Sequence, residues 1–185
     1  MKATVKPNIN MDIMDILTYN INMKGMIYMG IINEKSISDT KQHLPSIIRE
    51  AATGYEVITK NYKTLNEGKV SIISTDIFEE ILDANYKFNP LVEEDKELGG
   101  FTISLNELLI HGEGVTLSDA LRDLAENALD YAADFLKRVD FFRQIENRKG
   151  HYPYLRRLAS YTDIRQIMEV IAECHTGLQQ VISNQ

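Results

Sequence analysis

The sequence predicts an α+β protein in two parts, an N-terminal β-α-β-β-α unit followed by a mainly helical C-terminal unit. Three observations carry that expectation. Up to residue 86, short runs rich in β-branched and aromatic residues alternate with apolar residues at helical spacing. An acidic stretch holding Asn-Pro and Gly-Gly, NYKFNPLVEEDKELGG (85–100), then breaks the pattern. Beyond one further strand-like run, apolar residues keep helical spacing almost to the C-terminus. The division expected is an extension over 1–25, a first unit over 26–86, a linker over 87–100 and a second unit over 101–185. The 185 residues are 44% hydrophobic and 25% charged, which fits a chain that can bury a core of its own.

Composition narrows the function classes. No apolar run reaches 18 residues, so no membrane helix is expected. The N-terminus MKATVKPNINMDIMDILTYN has Asp12 and Asp15 within its apolar part and no small-residue cleavage site, which argues against a signal peptide. Cys174 is the single cysteine; it excludes an internal disulfide and suits the cytoplasm. The formal charge of −7 is uneven. Residues 1–70 carry nine Lys/Arg against seven Asp/Glu, whereas 71–185 carry eleven against twenty.

Taken in order, MIYMGIIN (26–33) reads as a strand. In SISDTKQHLPSIIREAATG, Ser38 is the expected N-cap, Leu44, Ile47, Ile48 and Ala51 fall at helical spacing, and Gly54 stands at the C-terminal position. Pro45 predicts either a kink or a short turn at 38–43 with a second helix restarting at the proline. YEVITKN (55–61) and GKVSIIST (68–75) are two further strands around the turn YKTLNEG. Ser74 or Thr75 then caps DIFEEILDA, whose apolar face is Ile77, Ile81 and Leu82.

Residues 30–85, on SISDTKQHLPSIIREAATGYEVITKN and KVSIISTDIFEEIL, resemble the Phd/YefM family, the DNA-binding halves of type II antitoxins. The resemblance implies a unit that dimerises through its sheet and binds operator DNA as an autorepressor. It places DNA contacts at Lys41 in the first helix and Lys60 at the end of the second strand, with Lys63 and Arg49 adding phosphate contacts. Lysine neutralises phosphate without reading sequence, whereas arginine can pair bidentately with guanine.

In the second unit, FTISLNELLI (101–110) reads as a strand or hairpin arm. HGEG (111–114) lacks the third glycine, the lysine and the Ser/Thr of a phosphate loop, and Glu113 would repel phosphate. His111 and Glu113 are too few for a zinc site. The stretch is therefore expected to be a sharp turn into a helix, with Thr116 and Asp119 forming a capping box. Leu117, Leu121, Leu124, Ala128, Tyr131 and Phe135 give that helix an apolar seam, and the pattern predicts its continuation to Gly150. Asp119, Asp123, Glu126, Asp130 and Asp134 form a second stripe, which suits either a solvated acidic face or a docking strip for a basic partner. HYPYLRRLASY is a Tyr/Arg-rich stretch with a break expected at Pro153, and Thr162 is expected to cap a last helix carrying Ile164, Ile167, Met168, Ile171, Leu178 and Ile182.

HGEGVTLSDALRDLAENALDYA is similar to the strand-turn-helix of HicB-type antitoxins, and the layout from 26 to about 180 resembles the longer Phd-like antitoxins of RelE/RelB-type systems. That resemblance implies a cognate basic toxin, of the ribonuclease type, held by the acidic stripe. It also implies operator DNA as a second partner, a homodimer or higher homo-oligomer, and no cofactor. The four histidines (43, 111, 151 and 175) are dispersed, and Cys174 and His175 diverge by about 100° on a helix, too far to act as a nucleophile–base pair; no enzyme is expected. A stand-alone dimeric DNA-binding regulator and an interaction scaffold that never touches DNA are the alternatives.

Overall fold

The structure, a computed structural model, describes residues 33–61, 68–96 and 99–184. It is a mixed α+β protein that divides between Ser74 and Thr75 into two compact units. The expected extension (1–25), most of the expected first strand (26–32) and most of the turn at 62–68 lie outside the described residues.

Unit 1 is built on a three-stranded sheet of order β1-β2-β3. Strand β1 (Asn33–Ser36) runs parallel to β2 (Val57–Lys60), and α1 (Ile37–Ala52) makes the crossover between them. Strand β3 (Val70–Ile72) pairs antiparallel with β2. Ser36, not Ser38, caps α1: its Oγ accepts from the Asp39 N–H at 3.0 Å. The expected kink is present at His43 (φ −114°, ψ 18°), two residues before Pro45, because a proline ring crowds the preceding turn. Gly54 takes φ +103°, a value open to glycine, where the chain leaves the helix for β2. Among the described residues of this unit, Ile47, Ala51 and Val57 are buried, and Thr40 and Thr59 share a hydrogen bond of 2.9 Å that ties α1 to β2.

Unit 2 opens with α2 (Thr75–Asn85), so the helix that sequence spacing assigns to the first part packs with the second. Of its expected apolar face, Leu82 is buried, whereas Ile81 is exposed. The stretch read as a linker holds strand β4 (Leu91–Glu94), which pairs with β5 (Phe101–Leu105); β5 in turn pairs with β6 (Ile110–Gly114) in an antiparallel meander. Helix α3 (Leu117–Lys137) packs on this sheet. The capping box is confirmed: the Asp119 N–H donates to Thr116 Oγ1 at 3.1 Å, and Thr116 N–H donates to the Asp119 carboxylate at 3.3 Å.

HGEG is not the turn that the sequence suggests; it is strand β6. Its glycines serve close approach instead of reversal. A Cβ on Gly112 would stand 2.2 Å from the Leu124 backbone nitrogen, and one on Gly114 would stand 2.3 Å from that of Ala120. The helix backbone therefore rests directly on the strand, and Ala120, Leu121, Leu124, Ala125 and Ala128 are wholly buried beneath it.

Helix α3 ends at Lys137, thirteen residues short of Gly150, because Arg138 leaves helical geometry (φ −133°, ψ 42°). The reversal lets Phe142, in the short helix α4 (Val139–Phe142), stack on Phe135 with centroids 4.9 Å apart and planes 10° apart. Seven residues along a straight helix span about 10.5 Å, so an unbroken helix could not make that stack. Tyr131 packs edge-on against both phenyl rings and shares a 2.7 Å hydrogen bond with Nδ1 of the buried His151. Burial, and after it the Arg148 charge, hold the His151 pKa below the usual histidine value.

A 3₁₀ turn (Glu146–Arg148) leads to α5 (Tyr152–Leu158), α6 (Ile164–Ala172) and α7 (Thr176–Ser183). Pro153 begins α5, in the first turn where its missing N–H costs nothing. Asp163, one residue beyond the expected Thr162, caps α6 by accepting from the Arg165 N–H at 2.7 Å. His175 caps α7, its Nδ1 accepting from the Leu178 N–H at 3.2 Å.

The Tyr/Arg-rich stretch supplies the polar brace of unit 2. Arg157 is buried with only 4% exposure. Its guanidinium donates to Asp83 on α2 at 2.7 Å, to the Tyr86 carbonyl at 3.1 Å, and to both oxygens of Glu173 at 2.6 and 3.0 Å. Burial pushes the Glu173 carboxyl up, but the hydrogen bonds from Arg157 and Lys87 outweigh it and the net pKa is lowered.

Two predictions follow from these contacts. Gly112→Ala forces the α3 and β6 backbones apart, and the expected loss is about 2–4 kcal/mol of unfolding free energy by chemical denaturation. Arg157→Ala removes the guanidinium that bridges α2 and the end of α6; Asp83 and Glu173 keep solvent access and Glu173 keeps Lys87, so the expected loss is about 1–3 kcal/mol. Arg157→Lys should recover little of it, since an ammonium cannot reproduce the fork; full recovery by lysine would show that charge alone, not geometry, makes the brace.

Candidate partner-binding surfaces

The residues that sequence places at a DNA site do not share one face of unit 1. Val57 is buried, and Thr59 bonds to Thr40 of α1, so these alternate β2 residues face the helix. Ile58 and Lys60 then face the other side of the sheet. Lys60 there meets Glu34, which also bonds Lys69 at 2.5 Å. The hydrogen bonds from Lys60 and Lys69 lower the Glu34 pKa to about 2, so this carboxylate stays ionised and the three groups leave one positive charge. Lys41 and Arg49 are exposed on α1, on the other side of the sheet. Lys63 lies outside the described residues.

On α1, Thr40, Ile47 and Ala51 turn inward and are buried, whereas Ile37, Leu44 and Ile48 are exposed at 48%, 42% and 54%. Leu44 and Ile48 stand one turn apart beyond the kink at His43, and Ile37 lies before it.

The acidic stripe of α3 divides by local duty. Asp119 closes the capping box. Asp123 accepts the Glu113 N–H of β6 at 2.9 Å, and Asn127 Nδ2 donates to the His111 carbonyl at 3.1 Å. Asp134 pairs with Arg138. Glu126 and Asp130 are exposed and make no ion pair or hydrogen bond among the described residues. Of the expected strip, Asp119, Asp123 and Asp134 thus have local partners, and Glu126 and Asp130 have none among the described residues.

Asp123 and Asn127 do something that sequence spacing alone did not reveal. An antiparallel strand points the N–H and C=O of alternate residues to alternate sides. The groups of His111 and Glu113 point away from β5, along the edge where another strand could add. The two α3 side chains occupy the Glu113 N–H and the His111 C=O, so the middle of this edge is capped. The signal was present as Asp and Asn four residues apart on the helix flank, but it has no meaning until the helix is placed beside the strand.

A shallow cleft lined by Glu79, Leu82, Asp83, Arg157, Ser160 and Tyr161 lies in unit 2. Its polar groups are engaged with one another: Ser160 Oγ accepts from Arg156 at 2.7 Å and donates to Glu79 at 3.0 Å, beside the Arg157 brace. Among the described residues, no three His, Cys, Asp or Glu side chains group closely enough to hold a metal ion. No helix among them is long and apolar enough to cross a membrane.

The family model described as PHD-like, antitoxin of a RelE/RelB toxin–antitoxin system, matches residues 29–174. A crystal structure from Syntrophomonas wolfei subsp. wolfei, described as the antitoxin part of a candidate toxin/antitoxin system, is similar in fold. Its TM-score is 0.64 at 18% identity, over 75% of this chain and 95% of that one. No curated protein gives a significant sequence match.

Proposed function

The chain belongs to the PHD-like antitoxins of RelE/RelB toxin–antitoxin systems, and from that premise we propose that it neutralises a cognate basic toxin of the ribonuclease type through unit 2 and represses its own operon through unit 1. The observation that carries the toxin half is the pair of exposed, uncommitted carboxylates on α3. Glu126 and Asp130 stand at i,i+4 and repel each other slightly, and no cation among the described residues pairs with them. A basic partner would remove that repulsion. For the DNA half, Lys60 and Lys69 around Glu34 supply a net cation, and Lys41 and Arg49 supply exposed cations on α1; Lys63 is assigned a phosphate contact with them. Because the two groups face opposite sides of one sheet, one duplex reaches both only when two copies present them together. The exposed Ile37, Leu44 and Ile48 give a second copy an apolar surface to cover.

Co-purification of the tagged chain with the product of the adjacent reading frame, expressed from the native operon, tests the toxin half. A stoichiometric complex with a small basic protein that is toxic alone is expected. Glu126→Lys with Asp130→Lys should weaken the complex by tenfold or more, and an unweakened complex would leave those carboxylates as solvated surface. If no partner is recovered and the chain binds operator DNA alone, the stand-alone regulator replaces this reading.

Binding to operator duplex across a salt series tests the DNA half. Lys60→Ala and Lys41→Ala are each expected to lower affinity and to flatten the salt dependence by about one unit of slope. Glu34→Gln, which removes the carboxylate between Lys60 and Lys69, should strengthen binding several-fold. Affinity unchanged in all three variants would remove unit 1 from the DNA site.

A further inference from the structure

The two edges of the β4-β5-β6 sheet are treated differently. The middle of the β6 edge is capped by Asp123 and Asn127, which take the Glu113 N–H and the His111 C=O. The pairing fixes which groups the other edge presents. Because His111 and Glu113 point outward, Gly112 bonds to Ile103 on β5. Thr102 and Ser104 then bond toward β4, to Glu93 and Leu91, and the N–H and C=O groups of Val92 and Glu94 point out of the sheet. Among the described residues no donor or acceptor meets them. An open row of this kind is a template for one more strand. The β6 edge is capped by side chains from α3, whereas the short β4 edge is guarded by Pro90 and by negative charge, and its backbone groups stay free for a strand of the opposite charge.

The geometry points to β4 as the edge that receives an extended, basic strand of the toxin. This deepens the toxin-binding reading above and rests on it. Charge chooses the occupant. Glu93, Glu94 and Asp95 follow one another along and just past β4. A second copy added antiparallel would set Glu93 opposite its own counterpart when Val92 bonds to Glu94. It would set Glu94 opposite its counterpart when that residue lies on the two-fold axis. Like charges directly across a strand pair are unfavourable. Centring on Val92 instead brings Glu94 opposite Pro90, which has no N–H to give.

A toxin strand carrying lysine or arginine meets the opposite situation. On the sheet face away from the core, Glu93, Thr102 and Glu113 form one row, and Leu91, Ser104 and His111 form the next. The added strand extends both rows, so it presents a Lys or Arg beside Glu93 and an apolar residue two positions away beside Leu91.

The test uses the full chain and the adjacent-frame product. Glu94→Pro deletes one outward N–H without touching a β4–β5 bond, and proline is tolerated at a strand edge. Glu94→Ala keeps the N–H and removes only the charge. The proline variant is expected to weaken the complex at least tenfold with an unchanged unfolding midpoint, and the alanine variant to stay within about threefold of wild type. In the unsubstituted chain, the Val92 and Glu94 amides should exchange at least tenfold more slowly once the partner is bound, which decides the matter even if the proline variant does not fold. Equal binding by both variants with fast amides in the complex would overturn the strand assignment and leave the toxin reading standing. Slow amides in the isolated chain, together with concentration-dependent dimerisation, would give the edge to a second copy. Failure of wild type to bind the adjacent-frame product would overturn both readings at once.

Discussion

Everything in unit 2 depends on how closely α3 can approach β6. With glycine at 112 and 114, the helix backbone lies against the strand backbone where any Cβ would overlap it. That distance decides the rest. It buries the alanine-rich face of α3, keeps Leu121, Leu124 and Ile103 in one buried core, and brings Asp123 and Asn127 to the strand edge. Dispersion and the hydrophobic effect both reward such contact, because a gap of even an ångström forfeits much of the attraction.

The same helix shows how charge is divided between building and binding. A stripe of five carboxylates looks like one feature in the sequence. In the structure three of its members satisfy backbone N–H groups or a neighbouring guanidinium, and two face outward with no partner among the described residues. Arg157 makes the reverse point. Its neighbourhood reads as a surface rich in tyrosine and arginine, yet this guanidinium is buried between carboxylates from α2 and from the end of α6. A buried cation of that kind tolerates few arrangements, since every donor must find an acceptor. It therefore fixes where three helices meet more than it adds to stability.

In unit 1, among the described residues, Ile47, Ala51 and Val57 are the buried apolar side chains, and the Thr40–Thr59 hydrogen bond joins them in tying α1 to the sheet, while Ile37, Leu44 and Ile48 on the same helix are exposed.

Much of the element pattern was legible in the sequence because it is local. The kink before Pro45, the Thr116–Asp119 box and the buried seam from Leu121 to Phe135 each follow from residues within a turn or two of one another. The misreadings share one cause. HGEG looked like a turn because glycine usually marks one, but its glycines answer to a helix ten residues on. The continuous apolar spacing past Lys137 concealed a break that only the Phe135–Phe142 stack requires. Strand β4 was hidden in an acidic stretch because its pairing partner supplies the order that its own residues do not. The candidate site divided in the same way: sequence could nominate lysines and carboxylates as residue types. Tertiary structure alone decided that Lys60 and Lys41 face opposite sides of a sheet, that Asp123 and Asn127 cap the middle of one strand edge, and that the backbone groups of β4 stay free on the other, because a hydrogen bond or an ion pair depends on distances in space and the sequence specifies only separation along the chain.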